Sequence, residues 1–434
     1  MSPRPVRGVK PFSLLLFLPL TLITACGTKN QDSSQITLRA LNWAADLEVM
    51  AEQTIADRFS ERHPGVRVIV ESIVSNYGEK LATAIASGAP PDVFLLDSPD
   101  IPAFVERGLV LDLSPYTERV GYDPGQVFPQ VLDVFARDRR LFAYPKGCTP
   151  MVIYYNGALF EKLGVPEPPS DGWTWDEFLE TARAVSRTRD AEDGNEIYAV
   201  DFPRQLYQWI PWVWSAGGDI LDPSGRQTVG HLNSEATVRT FEFLTSWVTR
   251  WHMAPVQFLR GGDAMRVGRF YLGRQAMLHS GHWLLPRLLH YTERGDIRVG
   301  VAPIPHRPGS EPQNVLYASG WAVPTNVRHK RLAVELAAFL AGEEAQRLRA
   351  EVHLEIPAFR SLALELADRD TLGLTRDFLR QVERARVPWG AVVMDFHEIE
   401  ELSFDIMDRH LLQGDNLNAA ATDVAIEIDR VRSR

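Results

Sequence analysis

From Ile36 onward the chain alternates between short runs of strand character and longer stretches of helical period. Ile36–Trp43 alternates apolar and polar positions, and Leu47–Arg62 then places Leu47, Met50, Ala51, Ile55 and Phe59 at helical spacing. His63-Pro64-Gly65 stops that helix, and Val66–Ile73 is a second strand rich in Val and Ile. Tyr77–Ser87 puts Leu81, Ala84 and Ile85 on one helical face; Gly88-Ala89-Pro90-Pro91 breaks it, and Val93–Leu96 is a third, fully apolar strand. Phe104–Arg107 continues helically before Gly108. This β-α-β-α-β-α order predicts an α/β body with a parallel sheet covered by helices. Such sheets bind ligands beyond the carboxyl ends of their strands. Those ends carry Asn42 and Trp43, then Ser75 and Asn76, then Asp97 and Ser98. Helix caps and turns account well for Ser75, Asn76 and Ser98, but poorly for an exposed Trp43.

Further along, Tyr144-Pro145-Lys146-Gly147 leads into a strand at Met151–Tyr155, and Asn156 opens another helical stretch. After the Glu167-Pro168-Pro169-Ser170 loop, Thr174 and Glu177 form a capping box for a helix reaching Arg187. Asp190–Glu196 is a plain turn around Gly194, since it lacks the alternating ligands and terminal Glu of a calcium loop. Ile297–Ala302 and Tyr317–Val323 read as strands, and Arg331–Leu340 as a helix with Leu332, Leu336 and Phe339 inward. From Thr371 the pattern is mainly helical, interrupted at Pro388-Trp389-Gly390.

The first thirty residues follow a different rule. Arg4, Arg7 and Lys10 precede an apolar run from Phe12 to Ile23, too short for a span of about 20 residues. This is the layout of a secretory signal peptide, and its ending, Leu22-Ile23-Thr24-Ala25-Cys26, resembles a bacterial lipobox. The resemblance implies that residues 1–25 are removed, that Cys26 is lipidated, and that 26–35 is a tether. The mature chain is then extracytoplasmic and lipid-anchored to the cell envelope. It retains only Cys148, so no intrachain disulfide forms. A net charge of −10 without a basic block argues against nucleic acid. The 434 residues suffice for two or three domains.

The order of short motifs adds a family. Tyr77-Gly78-Glu79-Lys80-Leu81, Ser87-Gly88-Ala89-Pro90-Pro91-Asp92-Val93, Asp97 and Gly108-Leu109 come first. Pro145, Tyr154-Tyr155-Asn156, Phe160, Trp173-Thr174-Trp175-Asp176-Glu177-Phe178 and Gly217-Gly218-Asp219 follow, then Met277, Gly281, Trp283, Gly320 and Ile356-Pro357. Together they resemble the extracellular solute-binding proteins of sugar ABC importers, the group of the maltose- and glycerol-3-phosphate-binding proteins. The resemblance implies a two-lobed periplasmic-binding-protein fold, each lobe a mainly parallel sheet flanked by helices, closing on ligand by hinge bending. It places residues 36–147 and 300–342 in an N-terminal lobe and 148–299 and 343–434 in a C-terminal lobe. Crossings fall near Gly147, Val299–Pro303 and Gly342. The expected partners are a carbohydrate and the transmembrane subunits of an ABC permease, with the chain a monomer.

Sugars offer apolar C–H faces and rims of hydroxyls, so their sites combine flat aromatics with fixed polar groups. Trp209, Trp212 and Trp214 crowd just before Gly218 and Asp219, and their spacing cannot put all three on one helical face, so at least one is expected at the cleft. By matching position, Trp43, Asp97, Trp283 and Trp321 join the expected site, with Asn76, Ser98, Arg360 and Trp389 beside them. Lys146 and Arg360 keep an anionic ligand such as a glycerol phosphate ester open. No G-x-x-x-x-G-K-[ST], G-x-S-x-G or H-E-x-x-H pattern occurs, so no catalytic constellation, metal site or cofactor is expected; a secreted glycoside hydrolase is the enzyme alternative. His279 and His282 read as a structural pair.

Overall fold

Two sheets carry the chain from Ile36 onward. The computed structural model describes residues 35–45, 47–186, 196–255 and 263–433. The leader 1–25, Cys26, the tether up to residue 34 and the turn at 190–195 lie outside the described residues. In chain order the main strands are β1 (Ile36–Asn42), β2 (Val66–Ser72), β3 (Val93–Asp97), β4 (Tyr144–Pro150), β5 (Val152–Asn156) and β6 (Tyr198–Val200). They continue with β7 (Gln275–Ser280), β8 (Val299–Ala302), β9 (Asn314–Ala322), β10 (Ile356–Pro357) and β11 (Ala385–Arg386).

The first sheet has the order β10-β4-β9-β3-β1-β2, with β11 added to β9; the second is β8-β5-β7-β6. Parallel pairing links β1 to β2 and β3, through the crossover helices Leu47–Arg62 and Tyr77–Ala86. β9 runs antiparallel to both β3 and β4, so the centre of that sheet is mixed. The second sheet is antiparallel except for β6 against β7. β3 is apolar and buried from Val93 to Leu96, whereas β2, at the sheet edge, starts with buried Val66 and Val68 on either side of exposed Arg67.

Period-two alternation divides the second sheet between two cores. Val152, Tyr154, Leu278 and Val301 face a core continuous with the first sheet, while Ile153, Met277 and Ala302 face a tryptophan-rich core. That second core is held by the helices Trp175–Ser186, Leu206–Ser215 and Glu235–Thr249. The Trp175 helix starts on the expected capping box: the Thr174 N–H donates to Glu177 Oε2 at 2.7 Å, and the Glu177 N–H donates to Thr174 Oγ1 at 3.3 Å.

The chain passes from the first sheet to the second at Met151, the single residue between β4 and β5. It returns between β8 and β9, and Asn314 at the start of β9 fastens the two passages together. Its side chain accepts from Met151 N at 3.2 Å and donates to Met151 O at 2.7 Å. The chain then stays with the first sheet beyond Gly342. The helix Glu343–Glu351 packs on Leu47–Arg62, and Ile356–Pro357 pairs with Cys148 and Gly147 of β4. Among the described residues no helix is long and apolar enough to cross a membrane.

Candidate functional site

A cavity of about 430 Å³ opens at the carboxyl ends of β1 and β3, between the first sheet and elements of the second half of the fold. One wall is aromatic. Trp43 follows β1, half-buried and edge-on to Tyr77 at 5.1 Å. Tyr77 is fixed by donating its hydroxyl to Leu95 O at 2.7 Å. Across the cavity Trp283 is 47% exposed, an unusual state for so large an apolar ring. Gly281 makes room for it, since a Cβ there would stand 2.1 Å from the Trp283 ring. Tyr207 lies edge-on to Trp283 at 6.0 Å and to Tyr317 at 6.4 Å. His282 is buried beside them, its N–H donating to Thr149 Oγ1 at 2.6 Å. Burial pushes its imidazole down to about 3, so the ring is neutral at physiological pH, and Nδ1 has no hydrogen-bond partner.

A second wall is a balanced set of charges. Lys146, 3% exposed, places Nζ 3.6 Å from Glu48, 3.5 Å from Glu52 and 3.4 Å from Glu355. Behind it the fully buried Arg349 donates to both Glu52 oxygens at 2.6 and 2.7 Å and to Leu340 O at 2.7 Å. Burial works against the Glu52 carboxylate, but Arg349 and Lys146 outweigh it and hold the group below the usual range. For Glu355 burial wins over the same two cations and its acidity is weakened. Gly147 lets that carboxylate approach the strand, because a Cβ would stand 2.4 Å from Glu355 Cδ.

A third wall is acidic and poorly balanced. Asp97 ends β3 and accepts on Oδ1 from the Ser98 N–H at 2.8 Å and the Ser98 hydroxyl at 3.4 Å. Burial, helped by Asp100, pushes its carboxyl up to about 7. His397 approaches from the helix Phe396–Gln413, with Nε2 3.0 Å from Asp100 and Nδ1 4.0 Å from Glu400. Its hydrogen bond to Asp100 raises its basicity. Burial raises Glu400, which His397 offsets only in part.

Of the residues expected from sequence, Trp43, Asp97 and Trp283 meet at this cavity, and Ser98 is buried directly behind Asp97. Trp209, Trp212 and Trp214 are all interior. The spacing argument fails for them because the helix Leu206–Ser215 is enclosed on every side; its one half-buried residue, Tyr207, is the one that reaches the cavity. Trp212 packs edge-on to Trp247 at 5.1 Å and Phe178 at 5.3 Å. Asp219 accepts from the indole N–H of Trp214 at 2.8 Å and of Trp389 at 2.6 Å, which ties these three to each other and away from the cavity walls. Gly218 packs on Thr237, where a Cβ would come within 2.6 Å of Oγ1. Trp321 is fully buried between β3 and β4. Asn76 is exposed because β2, the strand before it, is the outermost of its sheet, and Arg360 is exposed at the start of its own helix. The two imidazoles part company: His279 is in the core, bonded to Asp201 at 2.8 Å, whereas His282 faces the cavity. Cys148 is buried, and burial raises its thiol far above the range of a nucleophile. No cluster of metal-ligating side chains occurs among the described residues.

Residues 45–347 match the family described as bacterial extracellular solute-binding protein. The chain belongs to that family. A galactooligosaccharide-binding protein of Bacillus subtilis is 22% identical over 81% of this chain and 80% of its own length. A diacetylchitobiose-binding protein of Streptomyces coelicolor is 30% identical, over 36% of this chain and 34% of its own. The chain spans 64% of the length of the Brucella abortus binding proteins that it matches at 23% identity. Among solved structures, an ABC substrate-binding protein from Listeria monocytogenes in complex with cycloalternan superposes with a TM-score of 0.79 at 23% identity, covering 92% of this chain and 99% of that one. A maltose-bound MalE3 of T. maritima gives 0.76 at 21% identity, covering 91% of this chain and all 100% of the other. The family member described here therefore has the two-lobed fold of these binding proteins, with the cavity where its lobes meet.

Proposed function

We propose that this solute-binding protein captures a carbohydrate in the cavity between its lobes and presents it to the transmembrane subunits of an ABC importer. The observation that carries the reading is the pairing of two accessible indoles, Trp43 and Trp283, with carboxylates lining the same cavity. Indole faces cover the C–H surface of a pyranose, and Asp97, Glu48, Glu355 and Glu400 accept from its hydroxyls. A glycerol phosphate ester suits these walls less well. Lys146 is already shared by three carboxylates, and Arg360 stands away from the cavity. Trp43 and Asp97 come from the first sheet and Tyr207, Trp283 and His397 from the other half, so a ligand touching both favours the closed form. The protein acts as a binder and not as a hydrolase, and works as a monomer outside the cytoplasmic membrane, held there by a lipid on Cys26.

Purified protein screened by thermal shift against mono- and oligosaccharides tests the reading. A raised melting temperature with the sugar recovered unchanged supports it. Cleaved sugar supports a hydrolase, and no shift with any sugar overturns carbohydrate binding. Metabolic labelling with a fatty acid, lost in Cys26→Ala, tests the anchor.

A further inference from the structure

The cavity carries more carboxylates than cations. Four carboxylates line it, Glu48, Asp97, Glu355 and Glu400, against the basic side chains Lys146, His397 and the neutral His282. Lys146 is consumed by Glu48, Glu52 and Glu355, and His397 is engaged by Asp100. Asp97 has only its own-turn Ser98 donors, on one oxygen, and the nearest base to Glu400 is His397 at 4.0 Å. Asp97 and Glu400 belong to opposite halves of the fold, yet both line this one cavity, and His397 stands between Glu400 at 4.0 Å and Asp100, three residues after Asp97, at 3.0 Å. A second observation is independent of these carboxylates. His282 is 3% exposed and lines the same cavity, and its Nδ1 has no hydrogen-bond partner. A buried polar atom left this way is unfavourable unless a ligand group meets it.

Resting on the carbohydrate reading above, we infer that the ligand is an aminated carbohydrate, a mono- or oligosaccharide with a free amino group, whose ammonium sits between Asp97 and Glu400. An ammonium brings three donors and a positive charge to two carboxylates whose one neighbouring base, His397, is hydrogen-bonded to Asp100 instead. Trp43 and Trp283 in the same walls suit the ring that carries it, and their faces attract cations as well as C–H groups. The raised Asp97 carboxyl agrees, since it marks a site where negative charge lacks compensation until something positive arrives.

Matched pairs test this by calorimetry at pH 7: glucose with glucosamine, galactose with galactosamine, and cellobiose with its diamino counterpart chitobiose, with maltotriose and galactotriose as neutral checks. Binding of at least one amine ten-fold or more tighter than its neutral partner supports the proposal, and Glu400→Gln should shrink that preference several-fold. Neutral sugars binding as well as or better than their amines overturns the proposal but leaves carbohydrate binding in place. A preference unchanged in Glu400→Gln overturns the placement of the ammonium. If no sugar of either kind binds, both readings fall.

Discussion

Two walls of one cavity treat charge in opposite ways. Around Lys146 and Arg349 every buried carboxylate has a cation within 4 Å. Around Asp97 and Glu400 the only base is His397, itself half in solvent. The first wall joins the helix Leu47–Arg62 to the segment that returns through Glu355, far apart in sequence, so its charges hold the fold together. In the acidic wall the charges of Asp97 and Glu400 are opposed by His397 alone. Buried ions persist where they are paired; left unpaired, they belong where a ligand completes them.

Breaking the balanced wall should have the largest effect. Arg349→Met leaves Glu52 and Glu355 with Lys146 alone and should cost about 3–5 kcal/mol in urea unfolding. In the acidic wall, Glu400→Gln should leave stability unchanged or slightly higher, and equal losses in both variants would erase the contrast. Next in size is ligand affinity. Trp283→Ala should weaken sugar binding by about 2 kcal/mol, roughly thirty-fold, with folding intact. Retained affinity in a folded variant removes that ring from the site.

A smaller effect separates the walls by pH. Asp97 is raised to about 7, so the folded protein keeps a proton that the unfolded chain releases near about 4. Its contribution to stability is therefore greatest at low pH and declines as pH rises from about 4 to about 7. Glu52 is lowered, and its contribution is present above the ordinary carboxylate range and lost as pH falls through it. Asp97→Asn should flatten the decline above pH 4 in melting profiles and leave the acid limb in place. Smallest of all, Arg360→Ala should change affinity less than two-fold, because Arg360 stands off the cavity.

The first lobe was legible in the sequence because its strands and helices alternate cleanly. Leu47–Arg62 has the expected limits, and β1, β2 and β3 agree to one residue at their ends. The helix Leu206–Ser215 was not, since a segment apolar all round and holding Pro211 carries no period to read. At the site, Trp43, Asp97 and Trp283 could be picked out by following strand ends and motif order. Glu355, His397 and Glu400 could not. A carboxylate in a charged segment looks the same in sequence whether it faces solvent or a cavity, and only the fold brings residues 97, 355 and 400 to one opening. Lys146 was visible only as a free cation for an anionic ligand; its three carboxylate partners come from distant segments.

The enclosure of the tryptophans has a spectroscopic consequence. Seven of the eleven are buried, so their emission is set by the protein interior and stays nearly constant when the cavity fills. Trp43 and Trp283 stand at the opening, the second with nearly half its surface in water. Trp251 and Trp389 are half-buried but do not line the cavity, so a ligand-induced blue shift would report on Trp43 and Trp283, and its loss in Trp283→Phe would assign the signal to that ring.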